Sequence, residues 1–292
     1  MLFFPGWNQP NCGKSGTRDF LRVCISYNRI EHRKSTFPVK DWLLDCGFTR
    51  LLNGKPYPST KKYASTIYKW ALNSKLVGGS LVGASTQDYP CFDEVIDFTK
   101  LDVPAHQRLT IHRYHKIKKH LKDIHLEAMV ELHASFMEYA DEECDYELLD
   151  IYDQVCEEFD ERDLPYVIPI LQGKTAADYN CHLSQYGDTI QQNAWVGVGG
   201  LKRRPNSEVF SILTSIKMQR PDIKLHGYGL SKRQLDDNLI IGLLFSADSA
   251  SGQLSGSKGS KYQNSRDPAI SIAYAQNIDE LTIQTNIFNC YA

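Results

Sequence analysis

Residues 166–173 read YVIPILQG, a nearly unbroken apolar run that closes on an amide and a glycine. A strand with one wet face alternates apolar and polar residues. A continuous apolar run suits a strand buried on both faces, as in a parallel sheet covered by helices. Seven other runs share this character: LFFPG (2–6), LRVCISY (21–27), WLLDC (42–46), LVGGSLVGA (76–84), WVGVGG (195–200), IKLHGYG (223–229) and GLLFSAD (242–248). Between them fall segments with helical periodicity, at 59–75, 106–123, 176–190, 206–219 and 267–278. Strands alternating with helices predict an α/β chain folded as a (β/α)8 TIM barrel, one domain over residues 1–292. An open doubly wound sheet is the structural alternative.

Composition narrows the function classes. The 292 residues are 42% hydrophobic and 23% charged, enough apolar material for a sizeable core. With 33 basic against 35 acidic residues the net charge is −2, so nucleic acid is not coated through bulk positive charge and any contact must come from a local patch. The longest apolar run, LIIGLLF (239–245), falls short of the roughly 18 residues that span a bilayer, so no membrane partner is expected. MLFFPGW lacks the basic start and cleavage site of a secretory signal. Eight scattered cysteines with no CxxC pair suggest reduced thiols in a cytoplasm.

Two stretches break the alternation. Residues 124–164 are helix-forming and strongly acidic, and read as helices inserted after the fourth strand, one face on the barrel and the other repelling nucleic acid. A docking surface for a partner protein is one use for such an insertion. The Gly- and Ser-rich stretch 246–267 follows the last strand and predicts a mobile loop over the barrel mouth.

Two motifs imitate known sites. GWNQPNCGKS (6–15) resembles a phosphate-binding loop, but Asn8 stands where the first glycine is required and Pro10 removes an amide donor. It reads as a strand-to-helix turn that can line the barrel mouth. In HRYHKIKKHLKDIH (112–125), His112 and His115 share a helix face with no carboxylate at a ligating offset. A solvated basic face and a nucleic-acid backbone contact are the two readings of that segment.

In a barrel, chemistry collects at the C-terminal ends of the strands. Asp45 closes the third run, Asp88 follows the fourth, Gln172 closes the fifth, Gly199 and Gly200 close the sixth, and Asp248 closes the eighth. Singly, each has a bland role as a helix cap or turn residue. Together they bring three carboxylates, an amide and bare backbone to one end of the barrel. Such a set suits either a divalent cation or acid/base and nucleophilic work on a glycosidic bond. Its donors and acceptors also complement the edge of guanine.

At these residues the sequence resembles the tRNA-guanine transglycosylase superfamily, and more closely its DNA-modifying branch, the 7-deazaguanine DNA transglycosylases (DpdA type) of phages and bacterial islands. LLDCGF (43–48) is similar to that branch's Asp-Ser-Gly-x-Phe motif. SYNRIEHRKSTFPVKDW (26–42), STQDYPC (85–91), HQRLTIHRY (106–114), YVIPILQG, AWVGVGGLKRR (194–204) and LHGYGL (225–230) follow in matching order.

The resemblance implies base exchange in DNA through a covalent glycosyl-enzyme, with a 7-deazaguanine such as 7-cyano-7-deazaguanine as the incoming base. Asp248 would be the nucleophile and Asp45 the general acid/base. Asp88 would read the amino and imino hydrogens of the base, and Gln172 with Gly200, beside Gly199, would donate to its carbonyl oxygen. Lys202, Arg203, Arg204, Lys258, Lys261 and Arg266 would meet the nucleic-acid backbone near the mouth. The closely spaced cysteines and histidine that hold zinc in tRNA-acting members are missing, so the resemblance implies no metal and no other cofactor. An RNA-directed transglycosylase, a nucleoside-level base transferase and a non-catalytic nucleic-acid-binding barrel are the alternatives.

Overall fold

The computed structural model describes residues 1–7, 22–37, 39–140, 148–249 and 278. The stretch 8–15, the Ser-rich residues from 250 onward and the expected helix at 267–277 lie outside them. Nine strands are described: β1 (Leu2–Trp7), β2 (Arg22–Ser26), β3 (Asp41–Asp45), β4 (Ser80–Ser85), β5 (Val167–Ile168), β6 (Ile170–Leu171), β7 (Trp195–Val198), β8 (Lys224–Gly227) and β9 (Ser246–Ser249). They form one sheet in the order β5-β4-β3-β2-β1-β9-β8-β7-β6, and every pairing is parallel.

The two ends of that order are neighbours in the chain, separated by Pro169 alone. On one side the Ala84 N–H donates to the Tyr166 carbonyl at 2.8 Å, and on the other the Gly197 N–H donates to the Pro169 carbonyl at 2.8 Å. Proline has no N–H to give to a ladder, which divides the run YVIPILQG into two short strands. The sheet is therefore nearly closed and barrel-shaped, in the α/β class that the apolar runs predict.

Ten helices connect the strands among the described residues: α1 (Tyr27–Ile30), α2 (Thr49–Leu52), α3 (Thr60–Leu76), α4 (Asp93–Thr99), α5 (Val103–Ala140), α6 (Leu148–Glu158), α7 (Ala176–Tyr186), α8 (Asn206–Gln219), α9 (Lys232–Leu235) and α10 (Asn238–Gly242). Local chemistry sets their starts. Ser59 caps α3 by accepting from the Lys62 N–H at 3.2 Å, and Thr175 with Asp178 forms a reciprocal capping box on α7. The runs at 76–84 and 242–248 become strand only at Ser80 and Ser246, because Leu76 still belongs to α3 and Gly242 to α10.

The acidic segment differs from its expected form. Residues 124–140 continue α5 instead of opening a new helix. Ile151 and Val155 of α6 pack on Leu126 and Val130 in a small cluster separate from the main core.

Strand residues alternate between two apolar environments, which is why the runs are unbroken. Phe3, Val23, Ile25, Trp42 and Leu44 face the helices and join the main core. Phe4, Cys24, Leu43 and Ile168 face inward and fill the barrel below its mouth. Full burial of each large side chain contributes roughly 1.5–3 kcal/mol, so the far more populous sheet–helix layer supplies most of the stability. The barrel interior is left to shape the site. Among the described residues Cys24, Cys46, Cys91, Cys156 and Cys181 are free thiols, and no helix is long and apolar enough to cross a membrane.

Candidate active site

Side chains two residues apart on a strand share a face. Carrying the inward face toward the C-terminal strand ends leads from Phe4 to Gly6, Cys24 to Ser26, Leu43 to Asp45, Ile170 to Gln172, His226 to Tyr228 and Ser246 to Asp248. The last member of each pair lines one cavity of about 390 Å3. Asp88, Gly199 and Gly200 line it as well, so all six strand-end residues singled out in the sequence border a common hollow. Among the described residues no three His, Cys, Asp or Glu side chains are arranged to hold a metal ion.

Asp45 sits at the end of β3, where its Oδ2 accepts from the Gly47 N–H at 3.1 Å. Gly47 has φ +77°, and a Cβ there would fall 2.8 Å from the Asn28 side-chain amide. Glycine is thus required two residues after this aspartate. Burial pushes the Asp45 carboxyl up to about 7, with Asp248 and then Asp88 adding negative charge nearby; the Gly47 N–H and Ser26 hydroxyl only partly offset this.

Asp88 is held between two donors, the Cys46 thiol at 3.1 Å on Oδ1 and the Gln172 amide nitrogen on Oδ2. Burial raises it to about 6 and those donors restrain the rise. The Gln172 backbone N–H donates to His182 Nδ1 at 2.9 Å, and its carbonyl accepts from Gln107 Nε2 at 2.9 Å. His182 can accept because burial holds it down at about 4, hence neutral. The Gln172 side chain lies across Gly199, where a Cβ would come within 2.0 Å of its Nε2, and its Oε1 has no partner among the described residues.

The N-terminal part of α5 clamps both loops. Thr110 Oγ1 accepts from the Tyr89 N–H at 3.0 Å, and His106 Nδ1 lies 3.1 Å from the Pro90 carbonyl. These bonds fix the chain just after Asp88. Gln107 spans to the carbonyls of Gln172 and Asp178 at 2.9 and 2.8 Å.

Asp248, on β9, is buried with its Oδ1 accepting from the Gly229 N–H at 2.9 Å. Its Oδ2 makes no hydrogen bond among the described residues. The site therefore holds one carboxyl able to keep a proton near neutrality beside another with an oxygen unbonded among the described residues, the combination that acid/base and nucleophilic chemistry needs.

The basic residues divide. Lys202 lines the cavity and has no partner among the described residues. Arg203 pairs with Glu94 at 2.6 Å. Arg204 pairs with Glu208 and donates to the carbonyls of Gly200 and Gly173 at 3.0 and 2.9 Å, tying together the loops that carry Gly200 and Gln172. Lys258, Lys261 and Arg266 lie outside the described residues. His112 is exposed on α5, and Lys118 farther along pairs with Glu161 at 3.0 Å.

Sequence reasoning missed several lining residues. Arg29, just after β2, is exposed at the cavity and unpaired among the described residues, on the opposite arc of the sheet from Lys202. The strand-end rule applied to LRVCISY and IKLHGYG would have reached Ser26 and Tyr228, whereas Arg29 lies past the run on α1, out of phase with the strand. Phe48 and Phe92, with ring centroids 6.3 Å apart, offer aromatic faces to a planar ligand. They lie beyond the strand ends, where no periodic signal marks them. The chain matches no protein-family model and no curated protein.

Proposed function

We propose that this protein is a (β/α)8-barrel transglycosylase that exchanges guanine in DNA for a 7-deazaguanine. β5 and β6 are taken as one strand interrupted by Pro169, which makes eight. The observation that carries the reading is the meeting of Asp45, Asp88, Gln172, Gly200 and Asp248, from five separate strand ends, around a cavity in the size class of small-molecule sites.

In the first step a deoxyguanosine of the DNA is flipped into the cavity, and Oδ2 of Asp248 bonds to its anomeric carbon as the bond to guanine N9 breaks. Asp45, protonated up to about pH 7, gives its proton to the departing base. The incoming 7-deazaguanine then returns the N9 proton to Asp45 and attacks the anomeric carbon. The carboxylate of Asp248 leaves, and configuration is retained over the two displacements. Asp88 accepts from the N1 and 2-amino hydrogens, and the Gly200 N–H and Gln172 donate to the carbonyl oxygen. Phe48 and Phe92 stack the ring, while Arg29 and Lys202 meet the flanking phosphates. In this reading the acidic α5–α6 segment serves as a docking surface for a protein partner.

The test offers labelled 7-cyano-7-deazaguanine with guanine-containing DNA, tRNA or free deoxyguanosine, followed by nucleoside analysis. Label in DNA alone is expected. Label only in tRNA or only in deoxyguanosine would change the substrate class, and label in none of them would overturn the reading.

A further inference from the structure

Behind Asp248 stands a buried polar chain that the exchange mechanism has not used. His226 is fully buried, its ring walled by Phe4, Trp195 and Tyr228 with centroids at 6.3, 5.9 and 4.3 Å. Its Nδ1 lies 2.9 Å from Ser246 Oγ, which is itself 2.7 Å from the Trp195 indole nitrogen. Its Nε2 faces Asp248 Oδ1 at 3.4 Å, longer than a formed hydrogen bond, and has no other partner among the described residues.

The chain has one consistent direction. Indole nitrogen only donates, so Ser246 Oγ accepts from Trp195. The hydroxyl of Ser246, buried with no other hydrogen-bond partner among the described residues, then donates to His226 Nδ1. Nδ1 accepting leaves the imidazole proton on Nε2, aimed at the carboxylate. Catalytic hydrogen bonds are often long in the unliganded protein and tighten in the complex.

We infer that His226 is a positioning residue for Asp248: its Nε2–H, oriented by Ser246 and Trp195, joins the Gly229 N–H on Oδ1 and so leaves Oδ2 as the reacting oxygen. This rests on Asp248 being the nucleophile. Donors on Oδ1 stabilise the ionised carboxylate more than the neutral ester. They therefore assist the second displacement, in which the Oδ2–carbon bond breaks and the electron pair returns to the carboxylate. They do not assist the first, which starts from the carboxylate. Loss of the donor slows breakdown of the covalent intermediate and spares its formation.

The experiment follows both half-reactions in wild type, His226→Leu, His226→Gln and Ser246→Ala. Guanine release measures formation, and decay of the DNA–protein adduct after adding 7-cyano-7-deazaguanine measures breakdown. Removing a hydrogen bond to a charged group predicts breakdown about 10- to 100-fold slower in His226→Leu, with formation nearly unchanged. Glutamine, whose terminal amide reaches the place of Nε2, restores most of the breakdown rate. Ser246→Ala removes one oxygen, lets the imidazole proton move to Nδ1 and slows breakdown with the ring still in place. Equal slowing of both steps in the leucine and glutamine variants would mark a packing role and overturn the inference, as would a wild-type adduct whose lifetime ignores all three changes. A wild type that forms no adduct removes the nucleophile, and this inference with it.

Discussion

A carboxyl that keeps its proton near neutrality needs a dry setting and negative neighbours, and Asp45 has both. The folded protein holds a proton there up to about pH 7, while the unfolded chain gives it up near the ordinary value of 3.8. The folded state therefore loses stability as pH climbs between those values. Asp45→Asn, isosteric and uncharged, is expected to raise Tm at pH 8 by an amount equivalent to roughly 2–4 kcal/mol and to leave it nearly unchanged at pH 4. It should also abolish exchange, and the wild-type rate of guanine release should fall above about pH 7 as the proton is lost. Gly199 is constrained by contact, since an added methyl would strike the Gln172 amide that bonds Asp88. Gly199→Ala should weaken binding of 7-cyano-7-deazaguanine by about tenfold or more, read by calorimetry, at a cost equivalent to one lost charge-assisted hydrogen bond.

At the scale of the element, strand ends and helix caps were the readable features. A period of two that is apolar at every position marks a strand buried on both faces, and the residue that closes it inherits the inward direction of the one two places back. That rule reached Asp45, Gln172 and Asp248, which end their runs at a predictable phase. It could not foresee that His106, Gln107 and Thr110 hold the loops after Asp88 and around Gln172. A buried polar residue in a helix carries no sign of which distant carbonyl it will meet. Thr175 is a cap legible from its own neighbourhood, and it opens α7 three residues after Gln172. Thr175→Ala should lower stability by about 1 kcal/mol in urea titration. Because Asp178 also bonds the Lys174 and Thr175 N–H groups, the same change should loosen the Gln172 loop and weaken base binding.

At the scale of the molecule, near-closure follows from one short segment: the backbone of residues 166–171 bonds β4 on one side and β7 on the other. Eight apolar runs pointed to a barrel, although the division of the fifth run was not written in its hydrophobicity. Charge was harder to read. Lys202, Arg203 and Arg204 are equivalent in sequence, yet Arg203 is engaged by Glu94, more than a hundred positions away, and Arg204 by backbone and Glu208. With a net charge of −2, DNA binding should depend on few contacts. Arg29→Ala and Lys202→Ala should each reduce the slope of log affinity against log salt by about one, whereas Arg203→Ala and Arg204→Ala should reduce it less. The central claim is that Asp248 becomes bonded to DNA sugar in the cavity it shares with Asp45 and Asp88. The most direct measurement is a denaturing gel of DNA incubated with wild type and with Asp248→Ala, alongside the label each incorporates into DNA. A covalent DNA–protein band and incorporation in the wild type, both lost in the variant, are predicted; incorporation that survives in Asp248→Ala would contradict the claim.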